Sequence, residues 1–294
     1  MSVPDPTDVT VAASPVVIEA PTVRVDPTMS RRRRLAEVVI PPFVLVVVLV
    51  GVWYFISYHV VKRRFLLHPP HDVVQEGFLK WENFSEILDG LAASTKVAAI
   101  GLAIAYAIAV GLAVVMSQSK LIERAVFPLL VALQAIPILA MVPLIAIWFG
   151  TMTTSRVIVC VIIAFFPIVL NTLFGLVSAD AGLHDLLTLH HASRATRLRR
   201  LMLPAALPAM FAGLRISAGL SVIGAIVGDF FFGRGERGLG QLIRQYSSNT
   251  NTREQLLAAV IVSSALGIAV FLTFGAIQTA VVGKWYDSKS GGGR

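Results

Sequence analysis

The chain has 294 residues, of which 56% are hydrophobic and 14% are charged, so its composition excludes an ordinary soluble domain and is typical of a membrane protein. The formal net charge of +8 is explained by basic residues beside membrane-spanning segments, and we expect no nucleic-acid partner. The single cysteine, Cys160, excludes a disulfide framework or a thiolate metal site within the chain.

The N-terminal region leads into the first apolar segment. Residues 1–30 are rich in Pro, Val, Thr and Asp and lack helical periodicity, which predicts a disordered cytosolic tail and not a cleaved signal. Four consecutive arginines at 31–34 are interpreted as an orientation signal that holds the N-terminus inside. The next unit, 31–91, is predicted to contain a first span at 38–59, a polar outer connector at 62–81 and an amphipathic interfacial helix at 81–91.

Five further apolar segments are long enough to cross a hydrocarbon core about 30 Å thick. They are predicted at 92–116, 125–149, 156–177, 209–232 and 256–283. Six spans make an all-α polytopic membrane protein with both termini on one side, and the excess of Lys and Arg places that side in the cytoplasm. The predicted core is 92–285, and a short cytosolic tail follows at 286–294.

Polar side chains inside these spans are candidates for a translocation path, because burying them in hydrocarbon is unfavourable unless they face protein or water. The candidates are Gln134, Asn171, Ser217, Ser221 and Asp229. For the two serines, a hydrogen bond to a carbonyl of their own helix is the slightly better interpretation. For Asp229, the alternative is a cap on the outer turn or an ion pair with Arg234.

The segment 180–208 is a polar, strongly basic interruption between two apolar spans, and we interpret it as a docking element for a soluble partner. Asp185 is expected near the start of a short helix, where its charge suits the positive end of the helix dipole. For Arg199 and Arg200, ordinary positive-inside charge is an equal alternative.

Several motifs carry a resemblance to a known family. The segment 180–208 contains Leu203-Pro204, the following span contains Gly213-Leu214-Arg215, and Asp229 precedes Gly238-Leu239-Gly240. These motifs, together with 135–150, resemble the membrane subunits of binding-protein-dependent ABC importers, in particular the nitrate, sulfonate, taurine and pyrimidine-precursor branch.

The cytoplasmic loop of that family carries Glu-Ala-Ala, three residues, Gly, nine residues, then Ile-x-Leu-Pro. Aligned on Leu203-Pro204, this chain has Asp185 at the Glu position and His191 at the Gly position, and only the closing Leu-Pro matches outright. The resemblance implies a left-handed bend at His191 between two short helices, and His is among the non-glycine residues that adopt positive φ. It also implies a type I ABC importer fold and a set of ATPase-coupling residues. They are Asp185, Leu186, Leu187, His191, Ala192, Arg194, Arg197, Leu203 and Pro204.

The resemblance also implies partners. They are cytosolic ABC ATPase subunits, an extracytoplasmic solute-binding protein that docks on 62–91 and 233–255, and a second copy of the chain or a paralogous permease, all at a bacterial plasma membrane. The sequence has no GxxxxGK[ST] phosphate-binding loop, so we expect ATP and Mg²⁺ in the ATPase subunits and no cofactor or metal in this chain. The alternative function is a secondary transporter or membrane-embedded enzyme that works without ATPases.

Overall fold

In the computed structural model of the chain, residues 31–60 and 67–286 are described, with side chains from 40–60 and 67–283. The tail predicted at 1–30, the connector residues 61–66 and all but the first residue of the tail predicted at 286–294 lie outside the described residues. The internal contacts divide the chain after Val52, so the helix that precedes this point is treated by itself. Apart from the bounds of that helix and its count as a span, everything below concerns the unit that begins at Trp53.

Every regular element among the described residues is helical. The helices are α1 Arg31–Phe55, α2 Pro70–Val73, α3 Trp81–Ser117, α4 Lys120–Ala135, α5 Ile138–Phe149, α6 Thr153–Val177, α7 Ala181–Leu189, α8 Arg194–Arg197, α9 Leu203–Phe231, α10 Leu239–Ser247 and α11 Arg253–Tyr286. A π-helical turn, Leu198–Met202, joins α8 to α9, so the chain is helical without interruption from Arg194 to Phe231.

Five of the described helical stretches are long and apolar enough to cross a membrane, and α4 with α5 make a sixth span if the bent pair counts as one. This confirms the predicted all-α polytopic fold with about six spans. The helix boundaries agree with the predicted spans at 156–177 and 256–283 to within a few residues at each end.

The amphipathic segment predicted at 81–91 and the span predicted from 92 form one helix, because α3 continues from Trp81 through to Ser117. No proline interrupts this stretch, and Ile87 and Gly90 near its start are buried. A Cβ on Gly90 would lie 2.7 Å from the Leu242 side chain of α10, so the glycine allows α3 and α10 to approach closely.

The span predicted at 125–149 is a bent pair of helices, because α4 and α5 meet at an angle of 96°. Pro137 has no backbone N–H to donate, and its ring holds the preceding Ile136 in an extended conformation at φ −72° and ψ 121°. The helix therefore ends at Ala135 and restarts at Ile138.

The core lies where α6 packs along α9 and α3 packs along α6. Cys160 of α6 is fully buried at this contact, as the sequence predicts for a small apolar residue. A Cβ on Gly224 would lie 2.8 Å from the Cα atom of Cys160, and one on Gly228 would lie 3.0 Å from the Cα atom of Arg156. The Gly224 and Gly228 pair therefore allows the close helix contact that its spacing predicts.

Candidate functional sites at the two ends of the helix bundle

The first site is the α7–α8 hairpin, which comprises residues 180–202 and connects α6 to α9. Both of its helices begin with a side-chain cap: Asp180 Oδ1 accepts from the Leu183 N–H at 3.2 Å, and Ser193 Oγ accepts from the Thr196 N–H at 3.2 Å. Asp180 therefore takes the position at the positive end of the helix that the sequence assigned to Asp185. Asp185 is the fifth of the nine residues of α7.

The bend of the hairpin lies at His191, which has φ 49° and is the only non-glycine residue with positive φ in the described part of the chain. This confirms the predicted left-handed conformation. The His191 N–H donates to the Thr188 carbonyl at 3.0 Å, and the Ala192 N–H donates to the Leu187 carbonyl at 2.9 Å, so the turn closes the end of α7. Arg197 Nη2 then donates to Thr188 Oγ1 at 3.0 Å and ties the two helices together.

The outward face of α7 is apolar. Leu183, Leu186 and Leu189 are 48%, 50% and 77% exposed, and their spacing of three residues places them on one side of the helix. None of the described residues covers this face. Asp185 and Arg194 are exposed nearby. A contiguous apolar strip with charges beside it is typical of a protein interaction surface.

The second leg of the hairpin is anchored in the bundle. Met202 is buried in the core cluster between α3, α6 and α9, and Leu198 and Leu203 pack against that cluster. Pro204, at the first turn of α9, is half-buried. The hairpin is therefore exposed at its tip and fixed to the helices at its base.

The second site, here named the Asp229 clamp, comprises Ser94 of α3, Arg156 of α6 and Asp229 of α9. Arg156 and Asp229 are 1% and 0% exposed, and their Nη1 and Oδ1 atoms lie 3.2 Å apart. Ser94 Oγ donates to Asp229 Oδ2 and accepts from the Leu239 N–H at 2.8 Å. One carboxylate therefore joins three helices and the start of α10.

Arg156 uses its remaining donors on the segment that follows α9. Nη2 donates to the carbonyls of Phe232 and Arg234, each at 2.8 Å, and Nη1 donates to the Glu236 carbonyl at 2.6 Å. These three carbonyls belong to a stretch without regular secondary structure, so the guanidinium satisfies groups that would otherwise be unpaired. Because Nη1 donates to the Glu236 carbonyl, its contact with Asp229 Oδ1 is an ion pair and not a hydrogen bond.

The Gly238-Leu239-Gly240 motif fits closely around this clamp. A Cβ on Gly238 would coincide with the Asp229 carboxylate, and one on Gly240 would collide with the Ile226 carbonyl of α9. Gly238 therefore leaves room for the Asp229 carboxylate, and Gly240 allows the backbone of α10 to approach the backbone of α9.

The predicted partner of Asp229 was wrong, because the cation is Arg156 and not Arg234. The sequence showed Arg156 only as the first residue of a span, where it looked like a flanking charge. Asp229 lies 73 residues from Arg156 and 135 residues from Ser94, and such long-range pairing leaves no periodic signal. The Gly-x-Gly pattern beside an intramembrane acid was the one available signal.

A lateral groove of about 730 Å³ lies where α4 and α5 meet against α6. Its lining includes Met141, Phe165, Phe166 and Leu220, and Gln134 supplies the only polar side chain among the residues that line it. Gln134 is the one predicted path residue on this groove. The path role of Gln134 stays a prediction.

The other four predicted path residues lie elsewhere in this conformation. Asn171 Nδ2 donates to the Pro167 carbonyl of its own helix at 2.8 Å. Ser217 Oγ donates across the helix contact to the Ala164 carbonyl at 2.7 Å, and Ser221 Oγ donates to the Ala218 carbonyl of its own helix at 2.8 Å. Asp229 belongs to the clamp.

Charged residues surround the exposed surface beside the clamp. Tyr246 of α10 donates to Glu86 of α3 at 2.7 Å, and Arg237 lies 3.3 Å from the same carboxylate. Burial and the hydrogen bond and charge of Glu86 raise the pKa of Tyr246 above its ordinary value of 10.0. Lys96 and Glu236 form a further exposed ion pair, with 3.2 Å between nitrogen and oxygen. Together with Glu86 and Arg237 they line a polar pocket of about 490 Å³.

The fold and the two sites define a class of protein. A bundle of membrane-spanning helices has an apolar groove at its side, a projecting hairpin at one end and a clamped polar surface at the other. Among the described residues, no cluster of three or more His, Cys, Asp or Glu side chains is placed to hold a metal ion. These features are typical of a polytopic membrane subunit that moves a solute.

The family follows from comparison with known proteins. Residues 99–285 match the family model of the binding-protein-dependent transport system inner membrane component, and the chain belongs to this family. It is 34% identical, over 78% of its length and 90% of the relative's, to a formylaminopyrimidine transport permease protein of Halalkalibacterium halodurans. It is 43% identical, over 42% of its length and 45% of the relative's, to a riboflavin transport system permease protein of Chloroflexus aurantiacus. It is 28% identical, over 75% of its length and 78% of the relative's, to a putative aliphatic sulfonates transport permease protein of Bacillus subtilis.

The fold agrees with solved transporter structures. The chain superposes on the inward-facing MetNI methionine ABC transporter with a TM-score of 0.56 at 18% identity, over 69% of this chain and 97% of that one. The protein is therefore the multi-pass permease subunit of an ATP-driven importer, which works with ATPase subunits and a solute-binding protein, as the sequence resemblance implied. The alternatives of a secondary transporter or a membrane-embedded enzyme are not favoured.

Proposed function

We propose that two copies of this permease, or one copy and a paralogue, enclose a path for a small solute across the bacterial plasma membrane, with both termini in the cytoplasm. The observation that carries this proposal is the lateral groove at the break between α4 and α5, which is open on one side. A second permease subunit placed against the groove would close it. The path then runs past Gln134.

The transported solute is a nitrogen-containing aromatic ring compound, such as a vitamin or a vitamin precursor. The groove has Phe165 and Phe166 in an otherwise apolar lining, and a single amide at Gln134. Aromatic rings and one hydrogen-bonding amide suit a flat heterocycle better than a hydrated anion such as nitrate. The relatives named for formylaminopyrimidine and riboflavin support this class.

The α7–α8 hairpin docks on the ATPase subunits, which bind ATP and Mg²⁺. Its exposed strip of Leu183, Leu186 and Leu189 supports this role, because an uncovered apolar face at a helix tip gains free energy when a partner buries it. Asp185 and Arg194 lie beside the strip and would fix the orientation of the partner. On the outer side, the solute-binding protein docks on the described part of the connector and on residues 233–255.

Transport in liposomes tests the substrate class. The permease, purified with its ATPase and mixed with the solute-binding protein encoded beside it, is expected to accumulate a labelled pyrimidine or flavin when ATP is present inside. Gln134→Ala is expected to reduce this uptake, since the path then lacks its one polar side chain. Uptake of nitrate or an alkyl sulfonate in preference to the heterocycles would contradict the proposed class.

Charge reversal tests the hairpin. Asp185→Arg combined with Arg194→Glu is expected to abolish ATP-driven uptake while the permease still inserts into the membrane. Lys120→Glu, which changes an exposed charge at the start of α4, serves as the matched control. Full uptake by the double variant, with the ATPase still bound, would refute the docking role.

A further inference from the structure

We infer that the Asp229 clamp transmits the docking of the solute-binding protein to the α7–α8 hairpin. In this role Ser94, Arg156 and Asp229 are positioning residues. The inference rests on the proposed docking surface at 233–255. It assigns to a buried polar cluster a task in coupling, beyond holding the fold together.

The first step of the argument concerns what fixes the docking surface. Residues 232–238 lack regular secondary structure, and α10 has only nine residues. The carbonyls of Phe232, Arg234 and Glu236 are all held by Arg156, and the first N–H of α10 is held by Ser94. Arg156 and Ser94 therefore hold the backbone at the start of this surface, and the buried side chains of Leu239, Leu242 and Tyr246 pack α10 against the bundle.

The second step concerns which helices the clamp joins. Arg156 is the fourth residue of α6, and Asp229 is the third residue from the end of α9. The far end of α6 leads directly into α7, and the far end of α9 is continuous with α8. The clamp thus ties together, at one end of the bundle, the same two helices that carry the two legs of the hairpin at the other end.

The third step concerns stiffness between the two ends. Helices α6 and α9 make the most extensive helix contact in the structure, and Gly224 and Gly228 bring the backbones into direct contact with Cys160 and Arg156. Packed helices without voids move as a unit and do not deform continuously. A displacement of α10 that acts on Arg156 is therefore carried along this helix pair to the hairpin.

The fourth step concerns the choice of charged residues. A buried ion pair is weak support for stability, because its desolvation cost offsets the attraction and apolar residues of similar volume serve as well. What charged groups add is directional hydrogen bonding. Arg156 meets three carbonyls and one carboxylate in one fixed arrangement, which apolar packing does not specify.

The experiment uses the complete transporter in lipid nanodiscs with its solute-binding protein. Two clamp variants are compared with wild type. Arg156→Lys keeps the charge and loses the fork that reaches three carbonyls, and Ser94→Ala removes the link to α10 while leaving the ion pair intact. Ser263→Ala is the matched control, because Ser263 is also buried in a spanning helix but donates only to the Ala259 carbonyl of its own helix.

The readout is the ratio of the ATPase rate with saturating binding protein to the rate without it. We expect both clamp variants to lower this ratio about fivefold or more, the lower end of typical coupling between two sites, and the control to keep it. Hydrogen–deuterium exchange is expected to rise at residues 233–247 in both variants and to stay unchanged in α7. This second measurement shows whether the clamp still holds residues 233–247, even where a variant is less stable.

Different results separate the two proposals. A wild-type transporter that does not respond to the binding protein would contradict the proposed function itself. A responsive wild type, with clamp variants whose ratio is unchanged while stability and both ATPase rates fall together, would show that the clamp is only structural and would overturn the inference.

Discussion

The Asp229 clamp and the α7–α8 hairpin use charged residues in opposite ways. In the clamp, Arg156 and Asp229 are removed from solvent and every contact they make is within the chain. In the hairpin, Asp185 and Arg194 are exposed, and the leucines beside them are uncovered. The comparison indicates that the charges at one end of the bundle are paired within the chain, whereas the other end presents an uncovered face.

The consequence is a difference in what each end tolerates. Substitutions in the clamp leave buried groups unpaired and act on the free energy of unfolding. Substitutions at the exposed tip of the hairpin leave the chain folded and act on the partner. The following predictions test this division, beginning with the largest expected effect.

Arg156→Ala is expected to lower the free energy of unfolding by about 3–5 kcal/mol, because Asp229 is left buried and unpaired. The double variant Arg156→Met with Asp229→Leu is expected to cost less, since it leaves no buried charge. Chemical unfolding of the purified permease in detergent measures both. A single variant that costs no more than the double one would contradict the buried-charge explanation.

Gly240→Ala is expected to cost about 1–3 kcal/mol, as an added methyl group meets the Ile226 carbonyl and lies 2.7 Å from the Phe230 backbone nitrogen. Gly267→Ala in α11 is the control, because a Cβ there meets nothing within 4 Å. Thermal unfolding compares the two. Equal melting temperatures would show that α10 moves aside without cost.

Tyr246→Phe is expected to cost about 1 kcal/mol through loss of the hydrogen bond to Glu86. The pKa of Tyr246 is raised in the folded protein, so its contribution to stability is fully present below pH 10 and is lost as the pH rises through the folded-state pKa. The difference in free energy of unfolding between wild type and variant, measured between pH 8 and 11, should therefore become smaller at the alkaline end. A gap that stays constant with pH would exclude the tyrosine as its source.

His191→Gly is expected to have the smallest effect, a net stabilisation of about 0.5 kcal/mol confined to the hairpin. Relief of strain at φ 49° is partly offset by the greater freedom of glycine in the unfolded chain. Hydrogen exchange of residues 186–193 should become slightly slower, whereas His191→Val should make it faster. Identical exchange in the two variants would mean that the left-handed bend is not maintained in solution.

The sequence was sufficient for features that depend on local pattern. Apolar stretches located the spans, and the resemblance around 180–208 led to the left-handed bend at His191. It failed where one backbone break or one distant contact decides the structure. Proline occurs inside α4, α5, α6 and α9 without ending them, so nothing marked Pro137 as the one that turns the chain by 96°. Arg156 gave no sign of its pairing with Asp229, because the two approach only after three helices have packed.

The break between α4 and α5 also bears on the order of events during synthesis. With 16 and 12 residues, these helices are about 24 and 18 Å long, and neither crosses a hydrocarbon core of about 30 Å by itself. They pack against α3, made before them, and against α6, made after them. The nascent chain therefore holds residues 120–149 without their full set of neighbours until α6 has emerged from the ribosome. Stable insertion of this part of the permease follows the arrival of residue 177 and not the arrival of residue 149.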